Sequence, residues 1–558
     1  MAPPTKPDAP AYQPYIKRIN LVGLPPIDLP DSVVVFVVGP NNGGKSTFLN
    51  EIQARVGRVT ATKWIEKLEW DLGSRDDYIS FVSKHFRQGA KENQLRDART
   101  GNAVARHDIE EFYHEQRTGH PSFLVRLLNA QNRIQLADRT QAPNVIEQTE
   151  LHPYHHFFFS EGAEADFSAK IKDAFGYDFR INRTGVEVVG YLGNAPNGAR
   201  LSTSYEAAVV NDMQPIHSFG DGIRSYTGIL LNSVADARPV TIMDEPEAFL
   251  HPPQARRLGR EMALAATDKK QQLFIATHSS DFIQGALSAK GANTIFLFLD
   301  HTNKDRPLFS VDAKVVNAFS KQPFLAHTSA LDALFYEQAI VCEGEADIMF
   351  FKWALEGTVA GARLEESFWL SAYGKAAIPA IMSDLTKLGV RVSCIFDLDV
   401  LLSPEILCKI CPLVGVEFAV YDKLLREVAA RIKVPPAADA LQRIEGVVAS
   451  LNEADDEPSR VAAIRSIKKS AESLGKSWVL KSAGLAALPK GELYASTVAF
   501  IEVMRDAGVL ILEEGEIENY VPEVGGHGQA WVRSALDKGQ ISPSVRSSIK
   551  RQFQSLTS

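Results

Sequence analysis

SVVVFVVGPNNGGKSTFLNEIQ, residues 32–53, decides the fold. Val33 to Val38 is unbroken in apolar, mostly β-branched side chains, the pattern of a strand buried on both faces. Gly39, Pro40, Asn41, Asn42, Gly43, Gly44, Lys45 and Ser46 follow directly and fit G-x-x-x-x-G-K-[ST], with a helix opening at Thr47-Phe48. The glycines let backbone N–H groups wrap phosphate, Lys45 reaches the terminal phosphates, and Ser46 is placed to ligate magnesium. The expected nucleotide contacts are Gly39, Asn42, Gly44, Lys45, Ser46 and Thr47, with ATP and Mg2+ or Mn2+ as cofactors.

Such a loop needs acid at the end of a second buried strand. VTIMDEPEAFLHP (240–252) supplies Asp244 to hold the metal through water and Glu245 to orient or deprotonate an attacking water. A further strand ends in Ala276-Thr277-His278, where an imidazole senses the γ-phosphate. Between loop and acids, HSFGDGIRSYTGILL (217–231) places Ser218, Gly220 and Gly222 ahead of an apolar helix, a second anion cradle. Strands that end in functional polar residues are the habit of open α/β sheets.

The pattern restarts near residue 326. In AIVCEGEADIMFF (339–351), Glu343 ends an apolar strand and Asp347 follows four residues later, so both meet if a helix starts at the turn. IFDLDV (395–400) puts Asp397 and Asp399 on one side of the next strand end. GVLILEEGEIENYV (508–521) adds Glu514, Glu516 and Glu518. Taken singly, each group reads as an exposed acidic turn; together they form a hard oxygen-donor set suited to magnesium or manganese. Gly374-Lys375 falls in a loop near the same edge, where a plain turn explains it equally well.

The rest of the composition bounds these readings. At 558 residues the chain exceeds one compact core. Lys plus Arg is 60 against 68 for Asp plus Glu, a net charge of −8, so nucleic-acid contact has to be concentrated in a local basic channel. Ser459 to Lys481 is the place to look, with Arg460, Arg465, Lys468, Lys469, Lys476 and Lys481 against Glu472 alone. A second basic stretch (Lys84, Arg87, Lys91, Arg96, Arg99) reads as a solvated helical face. Val33 to Val38 is too short to span a bilayer and the start lacks a signal-peptide core, so the expectation is a cytoplasmic protein with no membrane partner. The lone Cys408-x-x-Cys411 reads as a helical turn, not a zinc site.

GPNNGGKS, SFGDG, MDEPEAFLHP and THS, in that order, resemble the ABC-type ATPases of the recombination-repair and chromosome-structure group. The resemblance implies a homodimer in which Ser218, Gly220 and Gly222 act on the partner's nucleotide. It also calls for a metal-sensing glutamine, for which Gln131 after FLVRLLN is the candidate. Glu343-Gly344 and Asp397-Leu398-Asp399 look like the Toprim signature of primases and topoisomerases. An ABC-type head followed by Toprim is similar to the overcoming-lysogenization-defect (OLD) family, which includes the Gabija nuclease-ATPase subunit and retron-associated effectors. The late GEIENYV implies Glu518 as a ligand, and WVLKSAGLAALPKGEL implies Lys481 as a transition-state cation.

The expected architecture is α/β throughout. Residues 1–14 form a flexible Pro-rich arm, 15–325 an ABC-type P-loop ATPase domain with a helical insertion at about 51–150, and 326–558 a Toprim domain with a helical insertion at about 410–500. The expected metal ligands are Ser46 and Asp244 in the first domain and Glu343, Asp347, Asp397, Asp399 and Glu518 in the second. The catalytic set is Glu245, His278, Glu343, Asp397, Asp399 and Lys481. The implied activity is ATP hydrolysis coupled to metal-dependent endonuclease cleavage, DNA favoured, in antiphage defence. The family adds an accessory defence protein or retron RNA–DNA as partner and higher oligomers. Two alternatives stay open: a tRNA-cleaving toxin of the same architecture, and a non-cleaving ATP-dependent sensor or scaffold.

Overall fold

The computed structural model describes residues 12–40, 43–57, 62–89, 91–98, 101–116, 123–144, 150–235, 238–299, 308–311, 329–358, 364–434, 474–538 and 541–557, with 315, 436, 441–442, 444–448, 460–461, 463–464, 466–467 and 471. Asn42, Arg465, Lys468, Lys469 and Glu472 lie outside the described residues, as do residues 1–11 of the arm. The chain divides into two compact units, Met1–Phe335 and Tyr336–Ser558. That division falls beyond the expected position 325. The reason is the short turn Ser329–Phe335, whose Ala330, Leu331 and Leu334 are buried within the first unit.

The strands of the first unit are β1 (Tyr15–Leu21), β2 (Leu24–Asp28), β3 (Val33–Val38), β4 (Ile65–Asp71), β5 (Phe86–Gln88), β6 (Gln94–Asp97), β7 (Ala103–Ala105), β8 (Val125–Leu128), β9 (Thr140–Gln141), β10 (Asp178–Ile181), β11 (Glu187–Val188), β12 (Gly190–Gly193), β13 (Gln214–Pro215), β14 (Val240–Asp244), β15 (Gln272–Ala276), β16 (Thr294–Leu299) and β17 (Leu308–Val311). The main sheet has the order β17-β16-β3-β15-β14-β8 and is parallel except for its edge strand β17. All six residues of β3 are buried, as its composition requires. Because β3, β14, β15 and β8 run the same way, the phosphate loop, Asp244, His278 and residue 129 all leave the sheet at one edge.

Two expectations are corrected here. Residues 51–150 are not mainly helical: β4 pairs with β1, β5-β6-β7 form a separate antiparallel sheet, and β8 joins the main sheet. These strands are short and half exposed, as in IEKLEWD and QLRD, so charged outward residues imitate the solvent face of a helix. Residues 12–14 do not belong to a free arm, because the Tyr12 hydroxyl donates to Asp71 at the end of β4.

The second unit carries β18 (Gln338–Cys342), β19 (Ser367–Ser371), β20 (Arg391–Phe396) and β21 (Val509–Ile511) in one parallel sheet of order β19-β18-β20-β21. Phe350, Phe351, Tyr520, Trp531 and Phe553 pack against one face of it. The described secondary structure between β20 and β21 is helical, including Pro404–Leu413, Asp422–Arg431, Lys476–Ala483 and Glu492–Asp506. Cys408 and Cys411 lie in the first of these, Cys411 buried and Cys408 exposed.

Helix Asp221–Ala235 packs against helix Ala130–Gln135 so closely that a Cβ on Gly228 would fall 1.7 Å from the Arg133 carbonyl oxygen. Gly228→Ala is therefore expected to force the helices apart and cost about 1–3 kcal/mol, by overpacking. Chemical denaturation checks this, and an unchanged transition midpoint contradicts it.

Candidate functional sites

In the first unit Gly39 and Gly43 line the close approach of the phosphate loop to β16. A Cβ on Gly39 would stand 2.2 Å from the Leu299 carbonyl oxygen and one on Gly43 2.9 Å from it. Helix Lys45–Val56 starts from Gly44 at φ 93, in the left-handed region that favours glycine. Lys45 folds back to donate to the Gly39 and Pro40 carbonyls, both at 2.9 Å. Burial pushes its pKa down to about 8, against the opposing charges of Glu245 and Asp244. Ser46 and Thr47 are exposed on the first turn.

Asp244 ends β14, and Glu245 follows with φ 48, its N–H donating to the Ala276 carbonyl at 2.8 Å. That bond ties the strand end carrying the acids to the one carrying the histidine. The His278 Nε2 lies 4.0 Å from a Glu245 carboxylate oxygen. Burial, then Lys45, holds the imidazole below its ordinary value, against the opposing charges of Glu245 and Asp244. Glu247 accepts from the His278 N–H at 2.9 Å and is raised by burial. Arg133, fully buried, donates to the Asp244 carbonyl at 2.8 Å. Sequence reasoning missed both Glu247 and Arg133. Gln131 lies exposed two residues before Asp244's partner Arg133, at the start of the same short helix.

The exposed Ser218 hydroxyl donates to the Pro215 carbonyl at 2.7 Å. Gly222 falls inside the first turn of helix Asp221–Ala235, not before it. A Cβ there would come 2.5 Å from the Phe249 carbonyl oxygen, so the glycine lets this helix start lie against the turn that follows Asp244-Glu245. Gly220 has open space around it.

In the second unit the parallel sheet brings the ends of β18 and β20 side by side. Ligand oxygens of Glu343, Asp397 and Asp399 all lie within 4.8 Å of one another. The Asp397 N–H donates to Glu343 at 3.1 Å, and Lys481 donates to Asp397 Oδ2. Lys375 donates to Asp399 Oδ2 at 2.6 Å, and the Ser477 hydroxyl donates to the same oxygen. Lys481 and Ser477 share helix Lys476–Ala483. This helix is seated by Gly515, at φ 106, where a Cβ would stand 2.2 Å from the Lys481 carbonyl oxygen.

Loss of water, then Asp397, pushes Glu343 up to about 8. The same causes push Asp347 up to about 7. Burial lowers the Lys481 pKa, but Asp397, Asp399 and Glu343 together outweigh it and hold the ammonium above the ordinary lysine value. Asp347 stands beside the trio, its carboxylate accepting from the Gly344 N–H at 2.8 Å as the cap of its own helix. Glu518 forms a neighbouring group with Glu516 and His527. His527 hydrogen-bonds Glu518, whose oxygen also accepts from the Gly528 N–H at 2.8 Å. His527 carried no sequence signal, because only the fold returns residue 527 to the end of β21.

A family model described as "AAA domain, putative AbiEii toxin, Type IV TA system" matches residues 151–283. No curated protein matches the chain. Among solved structures, the SMC head bound to the C-winged helix domain of ScpA is 12% identical, covering 53% of this chain and 98% of that one at a TM-score of 0.34. The SMC head domain from Thermotoga maritima is 13% identical, covering 53% and 98% at 0.29. CbiO1 from Clostridium perfringens, part of the ABC transporter complex cbiONQ, is 14% identical, covering 55% and 91% at 0.26. The phosphate loop, the acidic strand end and the family match make the first unit a P-loop ATPase domain. No described helix is long and apolar enough to cross a membrane.

The buried carboxylates give a pH test. A carboxyl with a higher pKa folded than unfolded stabilises the fold most below its unfolded value, about 4.3 for glutamate. That contribution is lost as pH rises through about 7 for Asp347 and 8 for Glu343. Without divalent metal, the second unit's melting transition is therefore expected to fall by several degrees between about pH 6 and 8.5. Glu343→Gln should flatten that fall and Mn2+ should reverse it at the upper pH. A native transition that does not move, or an equal fall in the glutamine variant, contradicts this.

Proposed function

We propose that this chain is an ATP-regulated, divalent-metal-dependent nuclease of the OLD type, with a Toprim-like centre in its second unit. The observation that carries the reading is the convergence of Glu343, Asp397 and Asp399 at one strand edge beside Lys481. The donor set passes a test of fit. Asp399 is 2% exposed, and its Oδ1 has no hydrogen-bond partner among the described residues. With Lys375 and Ser477 on Oδ2, Oδ1 keeps its lone pairs free to accept a cation.

Glu343, Asp397 and Asp399 would hold a divalent ion, with Asp347 and the Glu518 group beside them. When bound, such ions supply Lewis-acid activation of a phosphodiester and of water. Lys481 contributes a fixed positive charge for the developing phosphorane. DNA is the favoured substrate and antiphage defence the favoured setting, both on the strength of the sequence resemblance. Arg460 and Lys476, exposed ahead of Lys481, belong to the proposed phosphate track.

In the first unit, the P-loop lysine, Ser46 and Asp244 would hold ATP and its magnesium, and Glu245 would orient the attacking water. His278 senses the γ-phosphate in this reading. Ser218, Gly220 and Gly222 complete the site of a partner copy, making the active form a homodimer.

The test uses supercoiled DNA, linear DNA and tRNA with Mg2+ or Mn2+, with and without ATP. Native protein is expected to cut DNA, Asp397→Ala to lose more than about 100-fold in rate, and Lys45→Ala to lose ATP turnover. Mixing Ser218→Arg with Glu245→Gln chains should restore some turnover, and no restoration rejects the shared site. Cleavage of tRNA alone moves the substrate to RNA, and no cleavage in any condition rejects the nuclease in favour of a sensor.

A further inference from the structure

We propose that Lys375 is a positioning residue of the carboxylate centre: with Ser477 it holds one oxygen of Asp399 and turns the other, Oδ1, toward Glu343 and Asp397 to receive a divalent cation. The inference rests on the metal-dependent reading above and adds to it a division of labour between the two oxygens of one carboxylate.

Lys375 does not arrive there by chance of a long side chain. It opens the turn Lys375–Ala377 behind Gly374, which has φ 127. A Cβ on Gly374 would meet nothing within 4 Å, so its backbone conformation and not space demands the glycine. The Gly374 N–H donates to the backbone carbonyl of Glu343 at 2.8 Å, which ties this loop to the strand end that carries one of the three carboxylates. Tyr373, at φ 54, donates its hydroxyl to Glu345 at 3.2 Å and adds a second tie to the turn after β18. The loop after β19 is thus strapped to its neighbour before Lys375 reaches across to β20.

Lys375 Nζ stands 2.6 Å from Asp399 Oδ2, and the Ser477 hydroxyl donates to that same atom. Asp399 has a side chain only 3% exposed, and its Oδ1 has no partner among the described residues. Two donors on one oxygen and none on the other fix the plane of the carboxylate. They leave Oδ1 as a single buried acceptor without a partner among the described residues. Lys481, on the same helix as Ser477, treats Asp397 differently, since it comes from the side of the helix and not from the strapped loop. Loss of a supporting group that orients a ligand in this way typically costs about 10- to 100-fold in metal affinity.

The sign of the effect separates this role from a simpler one. A lysine that only neutralised Asp399 would compete with a metal ion, and removing it would tighten metal binding. A lysine that aims the carboxylate does the opposite when lost.

Mn2+ binding to the full chain without nucleotide, read from the paramagnetic resonance of free Mn2+, tests the proposal, with Asp399→Asn defining ions bound elsewhere. Lys375→Met is expected to weaken Asp399-dependent binding about tenfold or more. Ser477→Ala should weaken it by less, and Lys375→Arg, which keeps a charged donor, should recover most of the loss. Equal or tighter binding in Lys375→Met overturns the proposal. Should that variant fail to fold, Ser477→Ala decides, and unchanged affinity there overturns it. Native protein that binds Mn2+ through Asp399 but cuts nothing rejects the nuclease reading while the affinity series still decides Lys375. A native chain with no Asp399-dependent binding overturns both.

Discussion

Three carboxylates whose oxygens lie within 4.8 Å of one another cannot all stay ionised out of water without positive charge beside them. Each like pair at that distance costs roughly 3 kcal/mol even at an effective dielectric of about 20. Much of the second unit answers this constraint. Lys481 comes in on a helix seated by the glycine at 515, Lys375 on a loop strapped to β18, and Ser477 adds a neutral donor. The compensation is partial. Glu343 remains pushed up to about 8, and one oxygen of Asp399 remains bare. Both features are what the proposed divalent cation would relieve.

The same design principle operates in the first unit with the charges reversed. There the edge of the parallel sheet collects backbone donors and Lys45, lowered to about 8 by burial, with Asp244 and Glu245 opposite. The phosphate loop offers positive potential to an anion, and the carboxylate edge offers negative potential to a cation. Both depend on parallel strands that end together, since only parallel order brings residues distant in sequence to one edge. Close backbone approaches at Gly39, Gly222 and Gly515 fix these edges where a side chain would hold the elements apart.

Much of this was legible in the sequence because strand ends announce themselves. A buried strand is a dense apolar run, and polar residues directly after it have few places to go but the sheet edge. GPNNGGKS, MDEPEAFLHP, EGEAD and DLD all follow such runs. The helical insertion expected at about 51–150 fails because short, half-exposed strands such as QLRD lack the length to show a period of two. Arg133 carried no signal, since a buried arginine looks like any surface cation until its partner, the Asp244 carbonyl, is in place. Gly374-Lys375 was visible as a loop, but the identity of its partner depended on how β19 and β20 flank β18. His527 was hidden for the same reason, lying on the approach to the helix Gly528–Lys538, far from any strand-end pattern.

Anomalous scattering tests most directly whether the carboxylate edge is a metal centre. Crystals of the full chain soaked in Mn2+ and measured at the manganese edge are expected to show an anomalous peak bounded by Glu343, Asp397 and Asp399 Oδ1, with Lys375 still on Asp399 Oδ2. No peak there at saturating Mn2+, with both lysines still paired to the aspartates and Asp399 Oδ1 bare, would contradict it.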